Sequence, residues 1–326
     1  MYQSPMGRPS QNAQDYYHQQ MMMAERNRER RGLARRGMGI GLAILGSTVV
    51  AYISADLVSF LLSALGYFDR GQAAEFSYLS PDIYFIQYAV RYLLMMVLPF
   101  VVLALCFRLH LRDIFYFEAV SKQKLGLCVL IGVGASMMVN MLVSSFQRAL
   151  SIFHIEPDLS QLPFSAEPMS MFLYAVVIAV LPALAEEFAY RGVVMALLRP
   201  FGNGIAVVGS AFAFGMMHGN IVQIPFAFVC GLVFGFLVIK TKSMWVGVGI
   251  HFFNNLISVL QQIVQETGSV TAYTIFVYAS FLITAVGAIL GVIFLLKRDR
   301  YFFSLERGGQ GILSVKQQFQ KIVGNA

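Results

Sequence analysis

The sequence predicts an all-α fold, a polytopic bundle of about eight transmembrane helices. Three observations carry that expectation. The 326-residue chain is 57% hydrophobic and only 13% charged, about half the charged share of an ordinary soluble domain. Apolar runs of about 20 residues recur between residues 38 and 296, and each is long enough to cross the ~30 Å hydrocarbon core of a bilayer. The net charge of +7 gathers at the ends of those runs. That is the distribution of an oriented membrane protein, and it argues against a nucleic-acid partner.

The expected spans are 38–66, 83–106, 124–146, 169–198, 204–218, 222–239, 243–263 and 271–296. The fifth is short for a full crossing. Residues 1–37 read as a polar basic tail closed by "RNRERRGLARRG" (26–37), a cluster that holds its side of the chain in the cytoplasm and attracts anionic headgroups. Loops 107–123, 199–203 and 240–242 and the tail 297–326 then fall on the same side. They carry Arg108, Arg112, Lys122, Arg199, Lys240, Lys242, Lys297, Arg298 and Arg300, whereas the opposite loops, 67–82 and 147–168, carry only Arg70 and Arg148. The expectation is an integral protein of a bacterial cell membrane with both termini cytoplasmic. Its organisation reads as N-terminal spans to residue 168, a core over 169–263, a last span within 264–296 and the basic tail.

Several features read as packing. Cys106, Cys128 and Cys230 lie inside apolar runs, where a cysteine behaves as a small buried hydrophobe. Gly231/Gly235 and Gly287/Gly291 have the small-xxx-small spacing that lets membrane helices approach closely. Trp245 reads as an interfacial anchor.

Chemistry is expected where ionisable groups interrupt the apolar runs, because each such group needs a partner or a function. In "AEEFAYRG" (185–192), Glu187 and Arg191 are four apart on one helical face, acid first, the favourable order for an ion pair. Glu186 points about 100° away and gains little from that guanidinium. It is the acid expected to react. "FGMMHGN" places His218 at the end of the fifth span. "GIHFFNN" places His251 in the seventh, with Asn255 one turn later. Any one of these histidines or the asparagine alone is often just an interhelical hydrogen-bond partner; together with Glu186, at similar depths on three spans, they suggest a site. A desolvated carboxylate is a stronger base and can take a proton from water. His218 would help orient that water, while His251 and Asn255 would donate to the oxyanion. The same groups suit a second arrangement, in which His218, His251 and a carboxylate hold Zn²⁺ with one position left for water.

The motifs EExxxR (186–191), FxxxH (Phe214–His218) and HxxxN (His251–Asn255), in this order on successive apolar helices, resemble the CPBP family of intramembrane proteases. That family takes in the CAAX prenyl endopeptidases and the bacterial Abi or bacteriocin self-immunity proteins. The resemblance covers about residues 169–263. It implies a helical core with the active site within the membrane, Glu186 as general base, His218 as its partner, and His251 with Asn255 as transition-state stabilisers. Glu187, Arg191 and Phe214 fall on supporting motif positions. The implied activity is an intramembrane endopeptidase acting on a membrane-associated or prenylated peptide or protein. Zn²⁺ is the candidate cofactor. A non-catalytic scaffold or immunity factor on the same fold, and a transporter, are the competing readings.

Overall fold

The computed structural model describes residues 11–67, 79–154, 162–306, 308 and 313–323. The start of the expected N-terminal tail, residues 68–78 (with Arg70) and 155–161 of the two opposite loops, and parts of the C-terminal tail lie outside the described residues. Within them the regular structure is helical: α1 (Gln11–Ala64), α2 (Pro81–Cys106), α3 (Leu111–Ile114), α4 (Lys122–Ile152), α5 (Pro168–Phe201), α6 (Asn203–Met217), α7 (Gln223–Thr241), α8 (Met244–Thr267), α9 (Val270–Arg298) and α10 (Val315–Val323). An isolated antiparallel bridge pairs Phe117 with Ser243.

Among the described residues six helices (α1, α2, α4, α5, α7 and α9) are long and apolar enough to cross a bilayer, fewer than the eight expected. The two others fall short for different physical reasons. Helix α6 has 15 residues, or about 22 Å at 1.5 Å per residue, which is less than the hydrocarbon thickness. Helix α8 has 24 residues, but His251, Asn254, Asn255, Gln261 and Gln262 lower its hydropathy. It packs between α4, α5, α7 and α9, so its polar face is turned to protein rather than to lipid.

Half of the apolar stretch of α7 is buried inside the bundle, against 17% for α9. Helix α7 is therefore central. The outer faces of α1 and α9 present Leu42, Leu45, Val49 and Ile53, and Leu282, Ile283, Ile289 and Leu290, to the surroundings. Apolar surface on this scale is stable in a bilayer, where no water need be excluded from it. The chain is an integral membrane protein.

Close approach between helices rests on the small residues, as expected. A Cβ on Gly231 of α7 would lie 2.9 Å from the Cα of Ala211 on α6. Gly287 and Gly291 of α9 take Leu130 and Ile131 of α4 in the same way. Cys128 and Cys230 are buried, whereas Cys106 is exposed, contrary to the expectation that all three are core residues. It is the last residue of α2. Trp245 stacks on Phe117 with ring centroids 5.2 Å apart.

The polar N-terminal stretch is continuous with the first span. Helix α1 runs for 54 residues, about 80 Å at 1.5 Å per residue, so it extends well beyond a bilayer core. Its basic part is docked. Arg36 Nη1 donates to the carbonyl of Leu197 at 2.8 Å, at the negative end of α5's dipole. Glu29 accepts from the Leu313 amide at 3.1 Å and from Gln318 Nε2 at 2.7 Å, which seats α10 on α1.

Helix α5 positions the site, and it is not regular. Two π-helical stretches, Val176–Val180 and Glu187–Val194, alternate with α-helical turns. Such widened turns leave carbonyls that need outside donors. Ser210 Oγ of α6 donates to the Tyr190 carbonyl at 2.8 Å, and the Tyr116 hydroxyl donates to the Arg191 carbonyl at 3.0 Å.

Candidate active site

Glu186 and Glu187 straddle the junction where α5 passes from α-helix to its second π-helical stretch. Both are buried, Glu187 completely. Their neighbours separate them as the spacing suggested. Arg191 Nη1 lies 2.8 Å from Glu187 Oε1, with both side chains fully buried. The face of the guanidinium is covered by rings, with Cζ 4.5 Å from the centre of Phe214 and 5.2 Å from that of Phe234. Among the described residues its Nε and Nη2 have no hydrogen-bond partner, so the electron-rich aromatic faces stand in for acceptors.

His251 joins the two carboxylates. Its Nδ1 is 3.1 Å from Glu187 Oε1, and its Nε2 is 3.6 Å from Glu186 Oε2. With Nδ1–H donated to Glu187, the tautomer and the ring plane are set, and Nε2 is turned toward Glu186. Arg191, Glu187, His251 and Glu186 thus form one buried chain. Glu187 Oε2, the other oxygen, abuts the α-carbon of Gly247, where a Cβ would overlap it. The glycine exists to admit that carboxylate.

Phe214 is the hub of the remaining contacts. Its ring lies 5.9 Å from that of His251 and 5.0 Å from that of His218, edge-to-face in both cases. His218 Nδ1 is 2.9 Å from the Phe214 carbonyl, which leaves Nε2 free among the described residues. The structure therefore brings His251 to Glu186. Among the described residues no hydrogen bond or ion pair joins His218 to either. Asn255 Nδ2 donates to the carbonyl of Ile178 at 3.0 Å, and its Oδ1 accepts from Asn254 Nδ2 at 3.1 Å. One amide hydrogen of Asn255 remains uncommitted.

Two participants escape the motif reading. Tyr92 of α2 donates its hydroxyl to Glu186 Oε1. The signal for it was a stripe of tyrosines, Tyr84, Tyr88 and Tyr92, at helical spacing within an apolar span. Phe234 of α7, the second ring over Arg191, has no signal to distinguish it among the phenylalanines of that helix.

The candidate Zn²⁺ set does not fit this arrangement. Among the described residues no group of three or more His, Cys, Asp and Glu is placed to hold an ion. Both nitrogens of His251 face carboxylates, and one nitrogen of His218 is tied to a backbone carbonyl.

The model of the type II CAAX prenyl endopeptidase Rce1-like family matches residues 168–257, from the start of α5 to the middle of α8. Residues 168–257 are thus similar to the type II CAAX prenyl endopeptidases. That stretch holds Glu186, Glu187, Arg191, Phe214, His218, His251 and Asn255. No match is found among curated proteins.

Proposed function

We propose that this protein is an intramembrane endopeptidase that hydrolyses a peptide bond of a membrane-associated, prenylated substrate, with Glu186 as the base. The observation that carries this reading is the buried chain Arg191–Glu187–His251–Glu186. It leaves one carboxylate with a reactive partner and the other with structural ones.

In the proposed reaction Glu186 takes a proton from a water held against the scissile carbonyl, and the hydroxide adds to the carbonyl carbon. The negative charge passes to the carbonyl oxygen, beside His251, which Glu187 holds in place. Asn255 and the free Nε2 side of His218 are assigned to the substrate, as hydrogen-bonding groups for the developing oxyanion and the leaving amine. The proton carried by Glu186 returns to the amine as the C–N bond breaks. Atoms and charge balance with water as the only co-reactant.

An apolar groove of about 570 Å³ lies between α2 and α5, lined by residues such as Leu93, Val97, Leu181, Leu184 and Phe188 and reaching Ala185, next to Glu186. An isoprenoid chain would lie here, carrying the adjacent peptide to the carboxylate. The basic residues on α1 and in the 240–242 turn support a cytoplasmic position for both termini.

The test is cleavage of a quenched, farnesylated CaaX peptide in liposomes containing the full chain. Glu186→Gln, which keeps size and hydrogen bonding but removes the base, should abolish hydrolysis with normal insertion. Retained hydrolysis by this variant would end the proposal.

A further inference from the structure

We infer that Tyr92, on a helix outside the family-matched segment, is a positioning residue for the reaction, holding Glu186 through Oε1 so that Oε2 faces His251. This rests on the reading of Glu186 as the base.

The two oxygens of Glu186 are divided between two helices. Oε1 receives the Tyr92 hydroxyl from α2, and Oε2 lies 3.6 Å from His251 Nε2 on α8. An ionised carboxylate is acceptor-only, and a glutamate carries three rotatable bonds. A single contact would leave it free to swing about that contact; two contacts from opposite sides fix its plane. Reacting groups held within a few tenths of an ångström of the productive geometry gain much of the rate that an enzyme supplies.

Tyr92 is itself held. Its ring stacks on Tyr88 with centroids 6.3 Å apart and planes 13° from parallel, and Tyr88 leans on Tyr84 at 6.5 Å. The hydroxyl reaches Glu186 because α2 packs along α5. This gives the N-terminal spans, which carry no motif, a share in the chemistry.

The groups that face Glu186 are Tyr92 from α2 and His251 from α8, with Glu187 and, through it, Arg191 beside it on α5; Tyr88 and Tyr190 stand nearby.

The experiment compares wild type, Tyr92→Phe and Glu186→Gln as full chains in liposomes, with the farnesylated peptide as probe. Tyr92→Phe keeps the ring stack and removes one oxygen, so thermal unfolding should be unchanged. The expected result is a kcat lowered roughly 10- to 100-fold with a KM within about twofold. An unchanged kcat, a KM that rises in step with the loss of kcat, or a kcat loss explained by a lower unfolding temperature would overturn the inference. If Glu186→Gln is inactive while Tyr92→Phe behaves as wild type, only this inference falls. If Glu186→Gln still cleaves, the base assignment and the role of Tyr92 fall together.

Discussion

Asn255 donates its side-chain amide to the carbonyl of Ile178 at 3.0 Å, and Ile178 stands four residues before Pro182. In a regular helix that carbonyl would accept from the N–H of residue 182, and proline has none. The asparagine of the HxxxN motif thus supplies the missing donor and ties α8 to the break in α5 one turn before Glu186.

This relationship predicts an interaction between Asn255 and Pro182. Asn255→Ala leaves a carbonyl inside the bundle without a donor, at a cost of about 1–3 kcal/mol. In a Pro182→Ala background the new N–H can close the helical bond, so the same change should cost about 1 kcal/mol less. Thermal unfolding of the four proteins in detergent measures the difference. Strictly additive costs would remove the link.

Arg191 and Glu187 form a buried pair whose partners cannot be removed singly. Arg191→Ala strands a carboxylate in a dry environment and should lower stability by about 3–5 kcal/mol, together with membrane yield. Removing both charges, as Glu187→Gln with Arg191→Met, should recover most of the yield, because no uncompensated charge is left. It should not recover activity, since His251 loses its anionic partner. Quantifying folded protein beside peptide cleavage separates the two effects; a double variant with wild-type rates would show that the pair is purely structural.

The separation of Glu186 from Glu187 was legible in the sequence because an i,i+4 acid–base pair survives the change from α- to π-helical winding. The widened turns themselves were not legible: Pro182 signals a break, but the donors that repair it come from Tyr116, Ser210 and Asn255, all distant in sequence. Span number was overestimated because α8 has the length of a crossing helix while its polar face is paid for by protein contacts, which hydropathy cannot see. His218 and His251 were both identified, yet their order around Glu186 was not, since depth along a helix says nothing about which side of the bundle a ring occupies. Tyr92 lay outside every motif, and a tyrosine in a span is usually read as an interfacial residue.

Gly247 offers a steric test of the carboxylate network. A Cβ here would overlap Glu187 Oε2 and lie 2.9 Å from Val238 Cγ2. Gly247→Ala should cost about 1–3 kcal/mol by overpacking, and it should lower cleavage at least roughly tenfold by tilting His251 away from Glu186. Gly126→Ala on α4, where a Cβ meets nothing within 4 Å, is the matched control and should be silent in both assays. Equal behaviour of the two variants would show that α8 can yield without disturbing Glu187.

Phe214 should matter through its π face. It covers the Arg191 guanidinium at 4.5 Å and touches the rings of both histidines. Phe214→Leu keeps an apolar side chain of similar reach but removes the quadrupole, and it should destabilise the protein by about 2 kcal/mol, the value of a desolvated cation–π contact. Part of any loss comes from the smaller volume, so the decisive measurement is the same change made beside Glu187→Gln and Arg191→Met. With the charge gone, the electrostatic share should vanish and the cost of Phe214→Leu should fall to that of repacking alone. If the cost is the same in both backgrounds, the ring acts as a filler, and the guanidinium depends on Glu187 for its stability.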